Sequence, residues 1–190
     1  DVTGVQTCAL PICEIRVANL SYEQIISPYI TYRIGVMDLE DYYDITEAAV
    51  HLCNTAFVNA MTIDKNTQLA TFPYPGIGAM LEMRKNQDYA LLGIYQGNPE
   101  HLHTFLYHGY MLIGEAGARY AHFSIKAGAW LYQAGGTANY NNSKGAYFIA
   151  QQDWRTESNH DMVGFMQLGY SHEAPKYIPY SLTLGAKSNN

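Results

Sequence analysis

The sequence predicts an all-β chain, an antiparallel and partial transmembrane β-barrel of about nine strands with one long loop carrying a short helix. Three observations predict it. In the run FSIKAGAWLY at 123–132, Phe123, Ile125, Ala127, Ala129 and Leu131 share one parity and Ser124, Lys126, Gly128, Trp130 and Tyr132 the other. An extended strand turns these into one apolar and one mixed face, whereas a helix would scatter Lys126 and Trp130 among the apolar residues. Composition agrees. Charged residues make up 15% and aromatics 13%, with 17 Tyr, which suits a wall with a lipid side and aromatic rims. The third observation is that the early connections alternate between short and long. A Tyr-rich, half-buried soluble sandwich shares the first two observations and remains the alternative.

The elements follow in order. Residues 14–26 (EIRVANLSYEQII) form an imperfectly alternating strand broken at Ser27-Pro28, and 29–38 alternates Ile30, Tyr32, Ile34 and Val36 against Thr31, Arg33 and Gly35. The proline sits at the turn because it has no N–H for a ladder. Residues 39–75 form a long loop, acidic at first (Glu40, Asp41, Asp44, Glu47). Within it 46–60 has helix-like content and Thr46 as a candidate cap. Such a loop usually carries function. Residues 78–85 and 89–96 make a hairpin turning at Asn86-Gln87-Asp88. Strands at 110–119 and 123–132 meet in a tight turn near Tyr120-Ala121, and GGTANYNNSK at 135–144 is a loop by composition. Strands at 146–154, 162–171 and 178–186 complete the set. Strand lengths of roughly 8–12 residues match what a tilted strand needs to cross a bilayer. Connections alternate short and long up to about residue 144, as in barrels with tight turns at one rim and loops at the other.

Residues 1–12 (DVTGVQTCALPI) resemble a translated sequencing-library adapter, and the segment 1–13 is set aside as non-native. Residues 14–190 are then a partial barrel. Cys53 is the one secure cysteine, so no disulfide framework is inferred. The chain ends directly after a strand-like run, and the expectation is a fragment of a longer protein.

The net charge of −6 gives no basic footprint for nucleic acid. No Walker loop, HExxH, nucleophile elbow or CxxC pair is present, and no catalytic residue, metal or cofactor is predicted. His101, His103 and His108 share a polar loop and read as surface residues. Asp38, Glu40, Asp41 and Asp44 lack calcium-loop spacing and read as a solvated acidic loop. The informative charges are those inside strands: Arg33, Glu82, Arg84, Glu115, Arg119 and Lys126. Each lies opposite the apolar residues of its own strand, hence on a lumen face, because charge on a lipid face is costly. A lumen of mixed sign suits neutral, hydroxyl-rich solutes, and Trp130, Tyr132 and Tyr147 offer flat faces to sugar rings.

The runs SYEQIISPYITYRIGVMD, AFVNA, FPYPGIGAML, GIYQGNP, GEAGARY leading into FSIKAGAWLY, and GAYFIAQQDWR followed by VGFMQLGY resemble, in this order and over 21–184, carbohydrate-selective porins of the OprB type. The resemblance implies a large single-chain β-barrel of the bacterial outer membrane that passes glucose or other small carbohydrates by diffusion; besides the glycan-binding sandwich, a porin for another small solute class, such as anions, is an alternative. It also implies a long loop around Phe57-Val58-Asn59 folded towards the pore. It supplies no catalytic residue. Porins are often homotrimers, which makes a trimer of the whole protein an expectation. Nine strands cannot close such a barrel, and an odd count departs from the family's even number. Two open edges and an apolar outer face predict aggregation of this polypeptide in water.

Overall fold

Alternation assigns faces but not partners; pairing assigns the register. The computed structural model describes residues 17–50, 58–68, 70–71, 74–101, 108–135, 141–155, 161–172 and 178–189. The strands are β1 (Leu20–Ser27), β2 (Ile30–Met37), β3 (Gly76–Lys85), β4 (Asp88–Gln96) and β5 (Gly109–Tyr120), then β6 (Phe123–Ala134), β7 (Ser143–Arg155), β8 (Asp161–His172) and β9 (Tyr180–Asn189). They form one nine-stranded antiparallel sheet in sequence order. The two sheets that the alternative sandwich reading requires are absent among the described residues. No described helix is long and apolar enough to cross a membrane.

Local chemistry accounts for the turns. Lys85 pairs with Asp88 around Asn86-Gln87, and Asn86 takes the left-handed conformation (φ 56°) that asparagine tolerates. The register slips between Ile25 and Ser27 in β1. That irregularity explains why the adjacent pair Ile25-Ile26 broke the alternation in the sequence. The first strand starts at Leu20, and residues 14–16 of the expected strand lie outside the described ones. Tight turns follow β1, β3 and β5, and longer connections follow β2, β4 and β6. The sheet therefore has a short-turn rim and a long-loop rim.

One face is apolar and open. Leu92, Leu182 and Leu184 are 55%, 62% and 64% exposed there. Tyr110 and Tyr120 stand at opposite ends of β5 on this face. Ten residues at about 3.4 Å each, tilted by ~40°, separate them by about 26 Å along a barrel axis, close to the ~25 Å apolar band of transmembrane barrels.

The other face is covered by the long connection after β2. Leu39, Tyr43, Ala60 and Ile63 of this connection pack against Met80, Leu91, Met111, Ile113, Trp130, Tyr147 and Ile149 of the wall in one apolar cluster. Each large side chain buried in this way contributes on the order of 1.5–3 kcal/mol. The loop therefore lies on the wall as a packed layer. The layer dries the centre of the mixed face that carries Lys126.

The expected helix over 46–60 does not form as such among the described residues. There is a 3₁₀ turn at Glu47–Ala49, where Thr46 makes no side-chain cap, and a single α-helical turn, α1 (Met61–Asp64). The loop itself and the wall both supply bonds that compete with a helix. Thr46 N–H donates to Val58 O (2.9 Å), and Ala48 N–H donates to Gln151 Oε1 (3.0 Å). Ala48, Ala49 and Val58 then pack on Phe165 and Val163 of β8. Residues 51–57, including Phe57 and Cys53, lie outside the described residues. Val58 and Asn59 do lie in a loop folded onto the inner face.

Candidate functional site: the loop-covered face of the sheet

Register assembles the predicted charges into three groups. In the first, Glu23 pairs across strands with Arg33, and Thr31 of β2 with Glu82 of β3. Arg33 donates through Nε to Glu23 and through an Nη to Glu82 (3.0 Å), whose second oxygen accepts from Arg84 Nε (2.9 Å). The Arg33 guanidinium also lies over the Tyr42 ring of the loop at 5.5 Å. Each charge here has a neutralising neighbour, so the row presents little net field.

Glu115 forms the second group. It is 4% exposed and accepts from Tyr89 Oη (2.6 Å), Tyr147 Oη (2.6 Å) and the backbone N–H of Asp44 (2.8 Å). Glycine makes this hub possible. Tyr147 pairs with Gly128 and Tyr89 with Gly117, and a Cβ on either glycine would sit 2.2 Å or 2.5 Å from the tyrosine ring. Each ring lies flat over its glycine and so aims its hydroxyl at the same carboxylate. Glu115 is thus an anchor for the loop, not an open lumen charge.

Asp44 was not singled out beyond a solvated acidic loop, and here the structure corrects the sequence. Asp44 is 2% exposed, with φ at 58°, and accepts from Ala60 N–H and from Gln167 Nε2 (3.3 Å). Burial first, and the nearby Glu115 charge among further causes, push its carboxyl well above the usual range. Glu40 is likewise raised by burial, against a bond from Thr71 Oγ1 (2.6 Å) that lowers it. Asp38 Oδ1 accepts from Glu40 N–H (2.9 Å) and caps the 3₁₀ turn Leu39–Asp41. The acidic stretch is structural.

The third group lies near the short-turn rim. The pairing brings Arg84, Tyr89, Gly117 and Lys126 into one row, with Arg119 opposite Ser124 in the next. Glu47 reaches down from the loop to Lys126 Nζ (3.5 Å) and Arg119 Nη (3.6 Å). Arg84 sits over the Tyr89 ring at 5.4 Å. A cavity of about 360 Å³ opens between them.

Trp130 is on the predicted face but 4% exposed, lying over Gly145 of β7, and its Nε1 has no hydrogen-bond partner among the described residues. Tyr132 and Tyr147 are also buried. The expected open stacking surface at Trp130 is therefore covered by the loop layer. Residues 102–107 of the histidine loop lie outside the described residues. Among the described residues no group of three His, Cys, Asp or Glu is placed to hold a metal.

A continuous antiparallel meander with one open apolar face, one charge-bearing face and a loop packed on the latter is the wall of a transmembrane-type β-barrel. It has the fold of OprB: the high-pH structure of Pseudomonas putida OprB superposes with a TM-score of 0.74 over 90% of this chain at 12% identity. The chain spans about half the length of that protein, 49%. At this identity the likeness is one of fold. No family profile matches the chain, and no curated protein sequence matches it.

Proposed function

We propose that this chain is part of the wall of a bacterial outer-membrane porin through which small carbohydrates such as glucose diffuse passively, without cofactor or covalent step. The observation that carries the reading is the division of the sheet. Leu92, Leu112, Leu131, Leu182 and Leu184 lie exposed on one face, while Arg33, Glu82, Arg84, Glu115, Arg119 and Lys126 lie on the other, against which a loop folds. In water the first face is an aggregation surface; in a bilayer it is satisfied. The OprB-type fold and the ordered sequence resemblance support the same reading.

In this reading the loop after β2 narrows the lumen, the short-turn rim faces the periplasm, and Arg33, Arg84, Arg119, Lys126 and Glu82 line the passage. Glu115 and Trp130 belong to the floor on which the loop rests. Carboxylates interleave with the cations, which favours neutral, hydroxylated solutes over ions of one sign. The lipid partner is outer-membrane lipid, and a homotrimer of the whole protein belongs to the proposal.

The test is liposome swelling with the whole barrel that carries this chain, comparing glucose with a charged solute of similar size. Faster swelling in glucose, weakened by Lys126→Glu or Arg84→Glu, supports the proposal. A whole protein that stays soluble without detergent and gives no swelling refutes it.

A further inference from the structure

The third charge group has a property that a mixed-sign lumen does not require. Its cavity is lined by three cations, Arg84, Arg119 and Lys126, against one carboxylate, Glu47. Glu82 neutralises Arg84 through Nε alone and does not line the cavity. Lys126 has a side chain only 12% exposed, yet its ion pair with Glu47 is long at 3.5 Å. A largely desolvated ammonium gains more from a close counter-ion than an exposed one does. Glu47 is half-exposed, rides on a 3₁₀ turn of the loop and divides its two oxygens between Lys126 and Arg119. The Glu47–Arg119 contact is between two half-exposed side chains at 3.6 Å and the Glu47–Lys126 contact is long, so neither holds Glu47 firmly against another anion.

We infer that this cavity is a subsite for the anionic oxygen group of a small hydroxylated solute, such as the carboxylate of a sugar acid, and that Glu47 is its built-in counter-ion. The inference rests on the porin reading and adds a substrate class to it. Glu47 occupies the place a ligand carboxylate takes, between a point charge and a planar fork of donors suited to oxyanions. An incoming anion displaces it, and the Ser124 hydroxyl lies within the same cavity to meet the solute's hydroxyls. The loop's carboxylate then swings free, which keeps net charge in the passage low both with and without ligand. Neutral sugars pass this point without displacing anything. Solutes bearing a carboxylate pause there. The subsite stands near the short-turn rim, at the opposite end of the wall from the loop's point of departure at Met37.

The experiment is single-channel recording of chloride current through the whole barrel in a planar bilayer, with gluconate, inorganic phosphate or glucose added. The expected result is half-inhibition by gluconate at a concentration at least five-fold below that for glucose. Lys126→Gln should abolish the difference, Lys126→Arg should retain it, and Glu47→Gln should lower the half-inhibiting gluconate concentration at least three-fold. Phosphate matching gluconate assigns the recognition to charge alone; gluconate exceeding phosphate assigns part of it to the hydroxyls. A channel that conducts but is inhibited equally by gluconate and glucose, or whose inhibition ignores both Lys126→Gln and Glu47→Gln, overturns this inference and leaves the porin reading standing. A protein that forms no channel overturns both.

Discussion

Replacing Glu115 by alanine removes one acceptor from three donors at once. Tyr89 Oη, Tyr147 Oη and Asp44 N–H all point at this carboxylate within 2.8 Å. Leaving a buried donor unsatisfied costs about 1–3 kcal/mol. The tyrosine hydroxyls regain some water, which offsets part of the sum. A net weakening of loop docking by about 3 kcal/mol is the conservative figure. That corresponds to roughly a hundred-fold rise in the undocked population. Lys65, just after α1 and exposed, is a trypsin site that reports it. In detergent, cleavage after Lys65 in the whole barrel should accelerate by about two orders of magnitude when opening is fast relative to cleavage. Glu115→Gln keeps one acceptor oxygen and should fall between. A cleavage rate for Glu115→Ala within two-fold of the parent would refute the reasoning, because the hub would then not hold the loop.

Three further outcomes follow from the same geometry. Asp44 has a raised carboxyl, so docking that depends on its protonated form is complete below its ordinary range and is lost as pH rises through the raised value. Exchange of the Ala60 amide proton, measured across pH 5–9 and corrected for intrinsic rates, should lose protection with rising pH, and Asp44→Asn should remove that dependence. Gly128→Val would place a Cβ 2.2 Å from Tyr147 Cζ and expel the ring; melting in detergent should fall by several degrees, and unchanged melting would contradict the packing. Leu92→Arg on the open face should destabilise the barrel in bilayers by about 2–4 kcal/mol if placed near mid-depth, measured by reversible urea unfolding in vesicles, whereas Ser124→Arg on the other face should cost far less.

Much of this wall was legible as a sequence because strand parity is a local property. Arg33, Glu82, Arg84, Glu115, Arg119 and Lys126 fall on the face opposite the apolar residues of their strands, as the alternation required. Pairing is not local. Nothing around Gly117 or Gly128 says that Tyr89 and Tyr147 lie opposite them, so Glu115 looked like a lumen charge when it is the loop's anchor. Trp130 misled for the same reason: its parity was right, but Leu39, Tyr43 and Ile63 cover that part of the face from a connection far away in the chain. Thr46 had the chemistry of a helix cap, and the wall's glutamines offered the backbone a better partner. Asp44 carried one usable signal, an acid set between aromatics and apolar residues in DYYDITEAA, but its partners lie on β5 and β8.

Those partners fix an order of events. The loop leaves β2 before β3 has been made, yet its contacts with the wall reach 71 residues ahead to Glu115, 103 to Gln151, 112 to Ile178 and 123 to Gln167. Contacts so distant along the chain carry a large closure entropy and form only after local hairpins have assembled. Folding therefore builds a bare wall first and seats the loop last. A slow step in refolding should coincide with burial of Trp130, and mutations at the Glu115 hub should hasten unfolding far more than they delay assembly of the sheet.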